Sequence, residues 1–277
     1  MAGISKNNPR IKELRRLLRD PKFRSESKKF AAEGLEVVKE CIATSRCPLD
    51  VFVVNGHPVS KEVELVLAGS EASIWYLEES LISSLATTVA PQPVISIFQS
   101  IDIVFEDLMA TDPTFLIFGE EIREPGNAGS LIRTAAAASA DGVILSENTV
   151  DLYNPKTIRS SAGSIFRIPI VRSTAFEKLS ETLRDKSITT VALSPSGDLS
   201  YLDYDFTSPF VVLLGNESSG LSTQALNQAD EIIRIRMGSG VESLNVSNAA
   251  SVVLFEAHRQ RYIKPVSYTH LTLPTKA

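Results

Sequence analysis

The sequence predicts an α/β protein of two units: a smaller amino-terminal α/β unit, then a larger unit built on a parallel sheet. Three observations carry this. Short apolar strands alternate with helical stretches along nearly the whole chain, the pattern of βα units. Runs such as FVVLLG at 210–215 are apolar at every position, as in parallel strands buried on both faces. The 277 residues, 43% hydrophobic and 22% charged, suffice for one large or two ordinary domains with a real core.

In chain order, 9–20 reads as a short basic helix with Pro9 near its start. Its stripe of Ile11, Leu14, Leu17 and Leu18 must dock, leaving the arginines outward. A strand at 30–34 (FAAEG) leads to a helix at 35–43, a strand at 50–55 and a helix at 61–69. A strand at 73–77, a helix at 78–87 and a strand at 94–99 complete the first unit. The stretch 101–113 reads as a linker. The second unit offers strands ending near Gly119, Ser146, Val171, Ser194, Gly215 and Met237. Its helices include 130–140 and a long last one at 244–262, which Ser243 could cap. The final residues, 265–277, fit neither periodicity and read as a remnant of expression or sequencing, or a disordered end.

The net charge of −5 hides an asymmetry. Residues 1–30 carry ten Lys and Arg against three acids, so this segment is +7 and the remainder −12. A basic arm on an acidic body suits a polyanion-binding protein, although a solvated helix face gives the same pattern. No apolar run reaches the ~18–20 residues of a membrane span, and the start lacks the apolar core of a secretory signal. Cys41 and Cys47 cannot build a disulfide framework. No CxxC or HExxH occurs, and His57, His258 and His270 are scattered, so neither metal nor membrane is expected. A cytoplasmic protein is the expectation.

Three strand ends break into loops rich in Gly, Asn and Ser: 119–135 (GEEIREPGNAGSLIRTA), 213–222 (LLGNESSGLS) and 233–249 (IRIRMGSGVESLNVSNA). In open α/β sheets, sites lie beyond the carboxyl ends of strands. Glycines there let backbone approach a ligand. None of the three is GxGxxG or GxxxxGK[ST], and GxSxG is absent, which disfavours a dinucleotide fold, a P-loop and a hydrolase elbow. Singly, each loop reads equally as an ordinary βα turn.

Together and in order, PGNAGSLIRTA, GNESSGL and SLNVSNAAS resemble the three motifs of the SpoU (TrmH-like) class of SPOUT RNA 2′-O-ribose methyltransferases. NPKTIRSSAGSIFRIPI matches the segment between the first two, and FAAEGLEVVKECI resembles the family's ribosomal-protein-type RNA-binding module. The resemblance spans nearly all of 4–264. It implies a carboxy-terminal trefoil-knotted methyltransferase domain at 112–264 and an RNA substrate-binding domain, with its basic arm, at 1–105. It also implies S-adenosylmethionine as cofactor and a homodimer joined near the active site, with 244–262 the expected surface.

The resemblance carries a catalytic set onto Asn127, Arg133, Glu217, Ser243 and Asn245. A guanidinium stays charged and clamps phosphate, so Arg133 suits positioning and phosphate-assisted removal of the 2′-hydroxyl proton. Asn127 could orient the ribose or hold Arg133, or be a turn residue. Glu217 could fix a guanidinium or steady a dimer contact, or act as a helix N-terminal acid. Ser243 combines capping with a substrate-facing role. Leu214, Gly215, Asn216, Ile235, Met237 and Leu244 are expected around the cofactor. Arg10, Lys12, Arg15, Arg16, Lys156 and Arg159 are expected at RNA phosphate, although Asn154 and Pro155 equally announce a capped helix start there. Ser218 and Asn248 depart from the motifs. A left-handed backbone at Ser218 would be strained, unless the turn differs. The two sequons at Asn216 and Asn245 read as chance.

The implied function is transfer of a methyl group from S-adenosylmethionine to a ribose 2′-hydroxyl of structured RNA, ribosomal RNA of the large subunit first and transfer RNA as the alternative. Two rivals remain. One is a non-catalytic RNA-binding assembly factor of the same fold. The other is a nucleotide-binding metabolic enzyme, which would lack salt-dependent RNA affinity.

Overall fold

The computed structural model describes residues 5–88, 90–241 and 243–262. The tail at 265–277 and the last two residues expected for the methyltransferase domain, 263 and 264, lie outside the described residues.

The amino-terminal unit follows the local chemistry closely. Asn8 accepts the Arg10 N–H and Pro9 starts helix α1 (Pro9–Arg19). Asp20 then ends that helix and caps the next, α2 (Pro21–Ser27), by accepting the Phe23 N–H at 3.1 Å. There follow β1 (Lys29–Glu33), α3 (Leu35–Ala43), β2 (Asp50–Val54), α4 (Val59–Val66), β3 (Ser73–Leu77), α5 (Glu79–Leu85) and β4 (Val94–Gln99). The sheet order is β1-β4-β2-β3, with β4 antiparallel to both neighbours and β3 parallel to β2. Side chains alternate across β2. Phe52 and Val54 pack with the α1 stripe and with Ile82 and Leu85 of α5, whereas Val51 and Val53 pack with Val38 of α3 and Val63 of α4.

The second unit contains α6 (Phe105–Met109), β5 (Phe115–Gly119), α7 (Pro125–Ala137), β6 (Gly142–Leu145), α8 (Pro155–Ser161) and β7 (Ile170–Val171). It continues through α9 (Phe176–Asp185), β8 (Thr189–Leu193), β9 (Leu199–Ser200), β10 (Phe210–Leu214), α10 (Thr223–Gln228), β11 (Glu231–Arg234) and α11 (Val246–Tyr262). The strands form one parallel sheet of order β7-β6-β5-β10-β8-β11-β9. Its centre is buried on both faces. Phe115, Ile117, Val212 and Leu214 meet α7 and α11; Leu116, Phe118, Val211 and Leu213 meet α6, α9 and α10.

Four sequence expectations change. The stretch 101–113 is no bare linker: Ile103 bridges to Val171, and α6 buries Phe105, Leu108 and Met109 against the sheet. The helix expected at 130–140 begins at Pro125, so much of the first motif is helical. The strand expected to reach Met237 ends at Arg234. The last helix begins at Val246, not at 244.

The two units share one core. Phe30 of β1 stacks on Tyr153 at 4.5 Å, and Phe98 of β4 lies 5.2 Å from Phe166. Arg24, only 4% exposed, pairs with Asp151 at 2.6 Å and donates to the Leu17 carbonyl at 2.7 Å. The Tyr153 hydroxyl bonds Asp102, which also accepts two bonds from Arg172. Helix α8 packs between β1 and α7 and so touches both units. Among the described residues, no helix is long and apolar enough to cross a membrane.

Candidate active site

The carboxyl ends of β8, β10 and β11 open into one cavity of about 350 Å³. Leu193, Ser194 and Pro195 form one side, the turn 214–221 another, and Ile235, Met237, Ser243 and Leu244 a third. Val246 and Ala249 of α11 supply the rest. All six side chains or glycines expected around the cofactor line it: Leu214, Gly215, Asn216, Ile235, Met237 and Leu244. The size falls in the ~300–1,000 Å³ range of small-molecule sites. The wall at 193–195 was not expected; its signal was the SPSG turn after the strand TTVAL.

The turn is shaped by Gly215. A Cβ there would lie 2.1 Å from the Gly220 carbonyl carbon and 2.2 Å from the Leu221 nitrogen, because residues 216 and 220 bridge back on each other. Asn216 Oδ1 accepts the N–H groups of Ser218 and Ser219, at 2.9 and 3.2 Å. Ser218 is not among the residues with positive φ, so the departure from Gly at this position carries no left-handed strain. The Asn216 side chain also donates to the Glu121 carbonyl at 2.8 Å, and Glu120 accepts the Ser222 N–H and hydroxyl, both at 2.7 Å. Residues 120–124 and 215–222 are therefore stitched together.

Beside the cavity runs a polar chain. Glu217 accepts the Asn127 side-chain amide at 2.9 Å, together with the backbone N–H groups of Arg123 and Glu124 at 3.2 and 3.1 Å. The Asn127 Oδ1 accepts the Asn245 amide at 2.9 Å. Burial pushes the Glu217 carboxyl up, but hydrogen bonds from Asn127 and from backbone N–H groups outweigh it and hold the group below its ordinary value. Three sequence expectations are corrected here. Asn127 lies in the first helical turn of α7, since Pro125 starts the helix early. Glu217 lies in the 216–220 turn and is no N-terminal acid of α10; it serves the N–H groups before α7 instead. Asn245, not Ser243, caps α11 by accepting the Ser247 N–H at 2.9 Å, leaving Ser243 on the cavity wall.

Gly129 has a different task from ligand approach. A Cβ there would meet the Thr157 carbonyl oxygen at 2.3 Å and Ser160 Cβ at 2.6 Å, so this glycine lets α7 and α8 touch backbone to backbone.

Arg133 is exposed two turns beyond Asn127 and forms no hydrogen bond among the described residues; neither Asn127 nor Glu217 holds it. Arg10 pairs with buried Asp50 at 3.3 Å and with Glu13 at 3.5 Å, and Asp50 also accepts the Trp75 indole N–H at 2.7 Å. Arg16 covers the Phe23 ring at 3.7 Å and pairs with Asp20. Lys156 pairs with Glu124, the cap of α7. Asn154 and Pro155 do start α8 as a capped helix. Lys12, Arg15 and Arg159 form no ion pair among the described residues. The same residues contain no cluster of three or more His, Cys, Asp or Glu able to hold a metal.

The SpoU rRNA Methylase family matches residues 114–255, and the MRM3-like substrate binding domain matches 8–96. The chain belongs to the SpoU rRNA methylase family. The 23S rRNA (uridine(2479)-2′-O)-methyltransferase of Streptomyces viridochromogenes is 39% identical over 142 residues, 50% of each chain. The 23S rRNA (guanosine(2553)-2′-O)-methyltransferase RlmP of Bacillus subtilis is 27% identical over 251 residues, 91% of this chain and 96% of that one. The crystal structure of the SpoU methyltransferase AviRb from Streptomyces viridochromogenes, in complex with AdoMet, gives a TM-score of 0.84 at 28% identity. It covers 92% of this chain and 98% of that chain.

Proposed function

We propose that the chain transfers a methyl group from S-adenosylmethionine to a ribose 2′-hydroxyl of ribosomal RNA, that of the large subunit in particular. The observation that carries this is the meeting of the second and third motifs around one cavity, with Asn127 of the first motif bonded to both Glu217 and Asn245 beside it.

The lining fits the cofactor. Leu214, Ile235, Met237 and Leu244 offer apolar surface to the adenine, and the backbone of 215–221 offers polar groups to its edge. The charged side chain on the described lining, Glu217, is an acid, which suits a cationic ligand. When bound, S-adenosylmethionine supplies an electrophilic sulfonium methyl. The chain contributes proximity and alignment. Arg133 grips an RNA phosphate and places it to take the proton of the attacking hydroxyl, so that the O–C bond forms as the C–S bond breaks. Asn127, Glu217 and Asn245 hold the loops in register, and Ser243 faces the reacting groups from the cavity wall.

The same reading assigns residues 1–105 to RNA binding and 112–264 to methyl transfer, with Lys12, Arg15 and Arg159 as free cations for phosphate. It takes a homodimer in the cytoplasm, joined along α11, where Phe255 and Tyr262 are 49% and 54% exposed. The family's trefoil knot belongs to it too.

Purified protein with labelled S-adenosylmethionine and unmodified ribosomal RNA should place label in a 2′-O-methyl nucleoside. Arg133→Ala should lower the rate by at least about 100-fold, the usual scale for losing a positioned proton-transfer group. Label on a base, or none, would overturn the proposal.

A further inference from the structure

Ser247 stands in the first turn of α11. It is buried and is not part of the cavity lining. Its hydroxyl donates to Asn245 Oδ1 at 2.7 Å, and its backbone N–H donates to the same atom at 2.9 Å. With that oxygen engaged by two donors, the Asn245 amide has one orientation left: its NH₂ faces Asn127 Oδ1. Asn127 is set in turn, with its NH₂ toward the Glu217 carboxylate, which only accepts. The direction of the relay is thus fixed at both ends, by a donor at Ser247 and an acceptor at Glu217.

We infer that Ser247 is a positioning residue for methyl transfer: through Asn245 it makes the Asn127–Asn245 pair present N–H groups, and not carbonyls, to RNA. Each amide keeps one N–H uncommitted among the described residues. Paired donors suit a ligand rich in oxygen, such as ribose hydroxyls and phosphate. A neighbouring contact steadies the arrangement. The Ser251 hydroxyl donates to the Ser247 carbonyl at 2.8 Å and lies 3.1 Å from Thr134 Oγ1, the residue after Arg133. The relay therefore joins the wall of the cavity to the helix that carries Arg133. The assignment rests on the methyltransferase reading above.

Ser247→Ala keeps the backbone N–H on Asn245, so the helix cap survives and the protein folds. What is lost is the second donor that fixes the amide. The expected result is about a tenfold fall in kcat for methyl transfer to ribosomal RNA, the effect of one lost orienting hydrogen bond. The KM for S-adenosylmethionine should stay unchanged, and Ser247→Thr should recover most of the rate. Independently of activity, isotope labelling of asparagine reads the side-chain NH₂ signals of Asn127 and Asn245. The hydrogen-bonded proton of each should exchange slowly in the wild type and in Ser247→Thr, and quickly in Ser247→Ala. Unchanged signals in Ser247→Ala would overturn the assignment. So would a parallel loss of cofactor affinity and kcat, which would make Ser247 a support of the cavity. If the wild type transfers no methyl, the functional reading falls, and the amide signals alone decide the relay.

Discussion

Glu217 shows how far a single side chain's bonds set its chemistry. Its carboxyl sits below its ordinary value of 4.5 because an amide and backbone N–H groups all donate to it. A depressed folded-state value stabilises the fold above the unfolded value, and the contribution disappears as pH falls through the folded one. The tie between 120–124 and the 216–220 turn should therefore be intact at neutral pH and weaken in acid, below about pH 4. Denaturant midpoints of wild type and Glu217→Gln should differ at pH 7, and the gap should narrow steadily as pH falls below the ordinary carboxylate range. A constant gap would refute the electrostatic account. The sequence marked Asn127, Glu217 and Asn245 as motif members, yet not who bonds whom. The partners lie 90 and 118 positions apart, a separation that no local pattern encodes. The same distance hid the true donors to Glu217, and the role of Arg10, whose partner Asp50 comes 40 residues later.

At the scale of elements, long or strongly patterned segments are legible in the sequence, whereas several short ones are not. The stripe of α1 and the apolar runs of β5 and β10 specify themselves through periodicity. Helices α2, α6 and α10 have five to seven residues, less than two turns, so no period develops. The glycines around Pro125 make the sequence there resemble a loop, although proline suits the first turn of a helix. Gly129 illustrates why those glycines are there. Gly129→Ala should force α7 and α8 apart and cost about 1–3 kcal/mol, visible as a lower thermal midpoint. An unchanged midpoint would show that the helices can yield. Helix α1 makes a second test, because its cations divide into two kinds. Lys12→Ala and Arg15→Ala should each lower the slope of log affinity for ribosomal RNA against log salt by about 1, with stability unchanged. Arg10→Ala should instead destabilise the fold, since it strips Asp50 of its ion pair. Equal salt slopes in all three would contradict that division.

For the molecule as a whole, the alternation of strands and helices announced two α/β units, but not that one core runs through both. Phe30, Phe98 and Cys41 belong to the same buried cluster as Tyr153, Phe166 and Phe115. The pair of Arg24 with Asp151 is nearly sealed from solvent on the arginine side. Removing one partner of such a pair leaves the other charge uncompensated, so Arg24→Ala should cost about 3 kcal/mol. The whole chain should still unfold in a single transition by circular dichroism and by tryptophan fluorescence from Trp75. Two separated transitions in the wild type would mean that the shared core does not couple the units.

That continuous core also limits how such an enzyme can be rebuilt by recombination. The amino-terminal unit is not a cassette. Grafted onto another catalytic unit, it would bring the aromatic edge of Phe30 and Phe98 and the guanidinium of Arg24 to a surface lacking their counterparts. A working hybrid has to import Asp151, Tyr153 and Phe166 as well, so the smallest transferable unit extends past the first sheet, through helix α8, to Phe166.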